Sequence, residues 1–170
     1  MYLAMLALVL CSVTKTTGVP ALSWPALTMQ ECVRLFPRAD TFQPLAIREN
    51  RYVWKVWHLG LDDDLDEFLG NLVLGRVEAD TEAIETLVGI DRAGSITKVD
   101  VRGPAAISEE FLAQFEGKSA LSSFSIARTP EDLLFVPAKI KAMAGRLEIS
   151  EKIASEVLES LNASRALAKK

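Results

Sequence analysis

The C-terminal part of the chain carries a helical pattern of apolar residues. Ile149, Ile153, Val157 and Leu161 recur at intervals of four, with Glu and Lys residues between them. Apolar residues at this spacing line one side of an α-helix. The pattern therefore predicts an amphipathic helix after Glu148, which packs that side on the rest of the domain.

A strand is predicted over residues 51–59, which read RYVWKVWHL. The segment is rich in β-branched and aromatic residues, which favour strands. Because side chains alternate between the two faces of a strand, one face would carry Tyr52, Trp54, Val56 and His58.

Three further apolar runs also predict strands: residues 71–77, 84–90 and 95–101. The second and third runs are separated by Asp-Arg-Ala-Gly, which has turn-forming residues and ends in Gly94, a residue suited to a positive φ. We therefore expect these two runs to form an antiparallel hairpin.

Two short helices are predicted from their capping residues. Thr28 and Glu31 have the spacing of a capping box, and Pro37 would end the helix that follows. Ser108 can cap a second helix, which Gly117 would end. These helices lie on either side of the predicted strands in sequence.

The elements together predict a single α+β domain with a mainly antiparallel sheet packed by helices, after an N-terminal hydrophobic segment. A chain of 170 residues has the size of one domain. Its 19 Lys and Arg residues against 23 Asp and Glu residues give a net charge of −4. Nucleic-acid binding is therefore not expected, because no general cationic surface is available for phosphates.

The N-terminus predicts export or membrane attachment. Residues 1–13 read MYLAMLALVLCSV, and no acidic residue occurs before Glu31. The apolar run is shorter than the ~20 residues needed to cross a bilayer, which favours a signal-peptide core over a permanent span. We interpret residues 1–22 as a signal peptide or a membrane anchor. The alternative is a hydrophobic N-terminal helix that docks on the core.

Generic catalytic and metal-binding motifs are absent from the sequence. There is no GxGxxG, GxxxxGK[ST] or GxSxG motif, and the only histidine, His58, excludes an HExxH zinc site. The acidic run of residues 62–67 does not fit an EF-hand loop, because Glu67 takes the glycine position. We interpret the run as a solvated turn and expect no metal site.

Four chemically versatile residues are interpreted as structural. His58 has a reference pKa suited to acid–base chemistry, but on a strand it is better explained as a partly buried residue. Trp54 and Trp57 could stack on a planar ligand, although neighbouring aromatic residues on a strand usually belong to the core. Cys32 falls in the first predicted helix and is expected to be buried and inert. With Cys11 as the only other cysteine, no disulfide framework is expected.

One resemblance covers most of the chain. Residues 87–99 read LVGIDRAGSITKV and residues 111–119 read FLAQFEGKS. Together with residues 32–40, CVRLFPRAD, they resemble the FMN-binding domain family. That family includes periplasmic flavin subunits of the Rnf and Na⁺-translocating NADH:quinone reductase complexes, and the N-terminal domain of nitrous-oxide-reductase regulators. The resemblance implies an FMN-binding-like domain over residues 28–168.

The resemblance also implies a cofactor site just before the last helix. Members of the family esterify the flavin phosphate to the threonine of an S-G-A-T-x-[ST]-S motif. Residues 144–147 of this chain align with S-G-A-T, and Ser150 aligns with the final serine. Gly145 and Ser150 match, but Leu147 replaces the threonine and has no hydroxyl. Ser150 is then the nearest alternative hydroxyl.

Two hypotheses follow from this departure. In the first, FMN binds non-covalently, with its phosphate near Gly145, Arg146, Leu147 and Ser150, and the protein acts as an electron-transfer flavoprotein at the outer face of a membrane. In the second, the chain is a cofactor-free member that serves as a structural or interaction module of an envelope complex. Both imply a location in the cell envelope, either periplasmic or membrane-anchored, and a membrane or membrane redox complex as the partner.

Overall fold

The computed structural model describes residues 24–60, 65–79, 82–103, 106–134 and 139–168. Residues 1–22, interpreted above as a signal peptide or anchor, lie outside these ranges. In the described residues no helix is long and apolar enough to cross a membrane. The elements, in chain order, are α1 (Met29–Leu35), β1 (Thr41–Arg48), β2 (Arg51–His58), β3 (Glu67–Ala79), β4 (Glu82–Asp91), β5 (Ile96–Arg102), α2 (Glu109–Ala113), β6 (Ile126–Ala127), a 3₁₀ turn (Pro130–Leu133), β7 (Ile140–Lys141) and α3 (Leu147–Ala168).

The main sheet is an antiparallel meander in which each strand pairs with the next, in the order β1-β2-β3-β4-β5. In its central part Val73 of β3 lies opposite Val88 of β4, which in turn lies opposite Val99 of β5. Strands β6 and β7 form a separate parallel pair. The predicted α+β fold with a mainly antiparallel sheet is confirmed.

Each face of the sheet has its own hydrophobic core. Side chains alternate between the faces, so Val53, Val73 and Val88 pack against Ile153 and Val157 of α3. The opposite face packs against α1, and its buried members include Cys32, Leu35, Trp54, Leu72 and Leu87. Helix α3 therefore covers one face over its whole length, while the much shorter α1 covers the other.

Several predicted helix and turn signals are present in the structure. The Thr28 side chain accepts the Glu31 N–H and Glu31 reaches back to the Thr28 backbone, so the capping box is formed. Helix α1 ends before Pro37, as expected. Ser108 caps α2, and Gly94 has the expected positive φ of 84° in the turn between β4 and β5.

Strand β1 was not predicted from the sequence, because Pro44 interrupts it and its exposed residues do not alternate cleanly. The structure accommodates the proline at the edge of the sheet, where one side of the strand needs no hydrogen-bonding partner. The pairing with β2 shifts register between Pro44 and Ala46. Glu49 and Asn50 then turn the chain into β2 with positive φ values of 48° and 63°.

Candidate functional site

The residues predicted to form the cofactor site lie at the start of α3. Gly145 adopts a positive φ of 67°, a backbone conformation that is unfavourable for residues other than glycine. Arg146 follows it, and Leu147 is the first residue of the helix, with 43% of its surface exposed. The Arg146 N–H donates to the Met143 carbonyl oxygen at 3.1 Å, which closes a tight turn before the helix.

Ser150 holds this turn against the first turn of α3. Its hydroxyl donates to the Arg146 carbonyl oxygen at 2.7 Å and accepts the Met143 N–H at 3.1 Å. The residue is fully buried. The hydroxyl of Ser150 thus has both a donor and an acceptor partner within the protein.

The Arg146 side chain connects the start of α3 to the segment before α2. Its Nη1 donates to the Ala106 carbonyl oxygen at 2.6 Å. A guanidinium carries five N–H donors, so this bond leaves donors for other partners. The positive charge also lies at the end of α3 where the helix dipole is positive.

A pocket of about 360 Å³ adjoins these residues, between α2 and the segment that leads into α3. We call it the α2 pocket. Its apolar wall includes Phe111 and Met143, and its polar wall comprises Ser108, Glu110, Gln114 and Lys141. The sequence placed Ser108 and Phe111 on a helix, but nothing in their spacing showed that they would face residues 141–144.

Gln114 fixes one side of the α2 pocket. Its Nε2 donates to the Lys141 carbonyl oxygen at 3.1 Å, and its Oε1 accepts the Lys141 N–H at 2.8 Å. This two-bond contact joins the end of α2 to strand β7. The neighbouring Phe111 ring packs edge-on against Phe115, with centroids 5.4 Å apart, so the apolar wall is rigidly supported.

His58 forms a surface pair with Asp40 at one end of β2. The His58 Nδ1 lies 2.5 Å from the Asp40 Oδ2, which also accepts the Leu59 N–H at 3.0 Å. The Leu59 amide and then His58 lower the pKa of Asp40. Both side chains are partly exposed, and the structural interpretation of His58 agrees with this placement.

Trp54 and Cys32 are core residues, as predicted. The Trp54 ring is buried and packs edge-on against Trp24, with centroids 5.2 Å apart. Cys32 is fully buried, and burial raises the pKa of its thiol to about 11. Trp57 is half-buried against Phe68. Trp54 and Cys32 are thus accounted for by core packing, whereas the buried Trp57 Nε1 has no hydrogen-bond partner among the described residues.

Part of the acidic run lies outside the described residues, namely residues 62–64. Glu67 is described, and it pairs with Arg38 at 2.8 Å and with Arg92 at 3.5 Å. Within the described ranges, no group of three or more His, Cys, Asp and Glu side chains is arranged to hold a metal ion.

A buried ion pair beneath α3 was missed at the level of sequence. The Arg51 Nε and Nη2 donate to the two carboxylate oxygens of Glu156 at 2.7 and 2.9 Å. Glu159 makes a further short contact with Arg51, and the Ser160 hydroxyl donates to Glu156 at 3.3 Å. The pair joins β2 to α3, and the near-complete burial of both side chains indicates a structural role.

Comparisons with known proteins do not assign the chain to a family. The chain matches no protein-family model, and no curated protein is significantly similar to it. The resemblance to the FMN-binding domain family therefore rests on the residues quoted from the sequence, and it stays a prediction.

Proposed function

We propose that this chain is an FMN-binding-like electron-transfer domain that holds its flavin non-covalently in the α2 pocket. The observation that carries the proposal is the position of this pocket. Ala144, the first of the residues 144–147 that the resemblance aligns with the flavin-attachment motif, is also the last residue of the segment that lines the pocket. The sequence resemblance and the cavity thus point to the same end of α3.

The size and lining of the α2 pocket support a ring-bearing ligand. About 360 Å³ lies in the lower part of the range for small-molecule sites. The apolar surface open to an aromatic ring comes mainly from Ala142 and Ala144, behind which Phe111 and Met143 are almost wholly buried. Ser108 and Gln114 offer polar groups. A ligand larger than this volume would leave its polar end at the rim.

Charge at the rim supports a phosphate-bearing ligand. The lining itself carries one positive and one negative side chain, Lys141 and Glu110, both exposed. Beyond the lining, Arg146 precedes α3, at the end of the helix where backbone N–H groups and the helix dipole favour anions. When bound, FMN would supply one- or two-electron redox chemistry. The chain's own contribution would be to orient the ring and to set the polarity around it.

Two side chains support non-covalent rather than covalent binding. Leu147 has no hydroxyl to esterify. The Ser150 hydroxyl is buried and already bonded to Arg146 and Met143, so a phosphoester there would break both bonds. The cell envelope, with a membrane redox complex as partner, is the proposed setting, and it rests on the resemblance and on residues 1–22 of the sequence.

A cofactor-free interaction module is the second candidate. It is favoured by the internal hydrogen bonds of the pocket: Arg146 binds the Ala106 carbonyl, and Gln114 binds both backbone groups of Lys141. A protein that had lost its flavin would gain stability by pairing such groups with one another.

The first experiment is the visible absorption spectrum of the full chain, expressed with excess FMN and then precipitated with acid. We expect yellow colour that passes to the supernatant, because the flavin is not covalently linked. Colour in the pellet would overturn the non-covalent proposal. A colourless folded protein that does not quench the fluorescence of added FMN would overturn flavin binding and leave the interaction module.

A matched pair of variants locates the site. Ala144→Trp places a large ring at the pocket from an exposed position, whereas Ala113→Trp adds the same ring at an exposed position of α2 outside the lining. We expect the first variant to abolish FMN binding and the second to retain it.

The Lys141→Ala variant tests recognition of the phosphate. It should weaken the binding of FMN roughly tenfold and leave the binding of riboflavin, which has no phosphate, unchanged.

A further inference from the structure

A second and larger cleft lies between α3 and residues 120–128. Its volume is about 700 Å³, well within the range of small-molecule sites. We call it the serine cleft, because Ser122, Ser123, Ser125 and Ser155 contribute to its lining. It shares no lining residue with the α2 pocket, so it is a separate candidate site.

The floor of the serine cleft is apolar and rigid. It includes Phe124, Ile126 and Leu158, of which the first two are buried and belong to the core beneath α3. The Phe124 ring stacks on Phe115 with centroids 6.3 Å apart, and the Lys118 Nζ lies 5.9 Å from its centroid. Only an edge of this ring faces the cleft, because 9% of the residue is exposed. A ligand in the cleft would therefore need an apolar face of its own.

The rim offers hydroxyl groups that both donate and accept hydrogen bonds. Ser125 and Ser155 are exposed, and the Ser155 hydroxyl makes only a long bond of 3.4 Å to Glu159. Each hydroxyl supplies one donor and two acceptor sites. Such groups match ligands that also carry hydroxyls.

The charged side chains at the rim form two ion pairs. Arg128 lies 2.8 Å from Glu151, and Lys139 lies 2.6 Å from Asp132. Lys139 and the Arg128 N–H lower the pKa of Asp132 to about 2, so the Asp132 carboxylate is ionised at neutral pH. Two positive and two negative groups cancel, so neither an anion nor a cation gains net attraction there.

Paired charges still make hydrogen bonds with a neutral ligand. The Arg128 guanidinium is 71% exposed and directs one of its five N–H donors to Glu151. Hydrogen bonds from a charged donor to a hydroxyl oxygen are stronger than those between neutral groups. The rim therefore favours a neutral molecule rich in hydroxyls over a charged one.

We propose that the serine cleft binds a neutral carbohydrate. The C–H face of the sugar ring packs on Leu158 and on the small exposed edges of Phe124 and Ile126, and its hydroxyls bond to Ser125, Ser155 and Arg128. This assignment is independent of flavin binding, because the two cavities are separate.

The test is an NMR titration of the ¹⁵N-labelled full chain with glucose, cellobiose, N-acetylglucosamine and mannitol. Each is added to about 10 mM, enough to saturate a site with a Kd near 1 mM. We expect at least one sugar to cause saturable shifts confined to the amides of residues 120–128 and 151–158. Absence of saturable shifts with all four probes would overturn the proposal.

The affinities of charged sugars test whether the opposite charges at the rim of the serine cleft cancel. Glucose 6-phosphate and glucosamine should bind no more tightly than glucose, because the rim has no net charge to offer either one. A tenfold preference for either charged sugar would overturn the assignment of a neutral ligand, and would identify the cleft as an anion or cation site instead.

Two pairs of variants separate binding from folding. Ser155→Trp fills the cleft from an exposed position of α3 and should abolish the shifts, whereas Asn162→Trp lies on the same helix outside the lining and should not. Arg128→Ala should weaken binding about tenfold. Arg92→Ala removes an equally exposed arginine that pairs with Glu67, and should leave binding unchanged. Equal effects of the two members of either pair would contradict the site.

Discussion

The carboxylate of Glu156 lies in the space that a side chain on Gly75 would occupy. A β-carbon at residue 75 would come within 1.8 Å of the Glu156 Oε1. The carboxylate has little freedom to move away, because Arg51 and Ser160 both bond to it. Glycine in the middle of β3 therefore makes room for a buried ion pair between the sheet and α3.

Gly75→Ala should destabilise the fold by roughly 2–4 kcal/mol, since the methyl group either overpacks the site or displaces Glu156 from Arg51. Urea denaturation followed by circular dichroism measures this loss. Glu156→Ala removes the colliding carboxylate, so the double variant should lose clearly less than the sum of the two single variants. Additive losses would show that Gly75 does not serve the ion pair.

Arg51→Met should cost about 3–5 kcal/mol, because it leaves the buried Glu156 carboxylate without its main partner. Arg92→Met is the matched control: Arg92 also pairs with a glutamate but is 70% exposed, so its loss should cost at most about 1 kcal/mol. Thermal unfolding of both variants checks the comparison. Equal costs would mean that the Arg51 pair contributes no more than a surface contact.

Helix α3 shows which features of the fold the pattern of apolar residues predicts and which it does not. The spacing of Ile153 and Val157 predicted α3 and its core face, because a 3.6-residue period is a local property of the chain. The same pattern assigned the intervening Glu156 to the polar side, although the structure buries it. Its burial depends on Arg51, which is 105 residues away in sequence, and no local pattern reports such a partner.

At the candidate site, too, some residues were predicted from the sequence, whereas the contacts between them were not. The sequence picked out Gly145 to Leu147 through a resemblance, and Ser108 through its capping position. It did not reveal that Arg146 reaches the Ala106 carbonyl or that Gln114 bonds to Lys141. These contacts join segments 27 and 40 residues apart, and only the packing of residues 106–114 against residues 141–146 brings them together.

Glu31 should give the protein a pH-dependent stability in acid. Hydrogen bonds from Arg102 are the main cause that lowers its pKa from 4.5 to about 2, and burial opposes them. Because the folded-state value is below the ordinary one, the stabilisation is present above about pH 4.5 and is lost as the pH falls towards 2. Lowering this pKa from 4.5 to about 2 corresponds to roughly 3 kcal/mol.

Comparison with Glu31→Gln isolates this contribution. The free energy of unfolding of the native protein should exceed that of the variant by a few kcal/mol at pH 7, and the difference should shrink between pH 4.5 and 2. Arg102→Met should flatten the same part of the profile, since Arg102 is the partner that lowers the pKa. A difference that does not change with pH would contradict the role of this pair.

Cys32 should be unreactive towards thiol reagents in the folded protein. It is fully buried on the α1 face, and burial raises the pKa of its thiol to about 11, so almost no thiolate is present at pH 8. In a Cys11→Ser variant, we expect no labelling by a disulfide-exchange reagent until denaturant is added, and then one thiol per chain. Fast labelling without denaturant would indicate that α1 opens readily.

Leu147→Thr should create a flavin-attachment site if the alignment of residues 144–147 is in register. Leu147 begins α3 and is 43% exposed, so a hydroxyl at this position is accessible to a modifying enzyme. The exchange at an exposed first-turn position should cost little stability, because few core contacts are lost. Co-expression with a flavin transferase, in cells that supply the flavin, should then yield flavin that remains on the acid-precipitated chain. Fluorescence and mass spectrometry detect the bound flavin.

Leu147→Val provides the control for this experiment, since valine has the shape of threonine but no hydroxyl. We expect flavin on the threonine variant alone. Labelling of neither variant would count against the register that places Leu147 on the attachment threonine, whereas labelling of both would show that another side chain carries the flavin. Because the buried Ser150 hydroxyl is bonded to Arg146 and Met143, Ser150→Ala in the valine background would then test whether that serine is the acceptor.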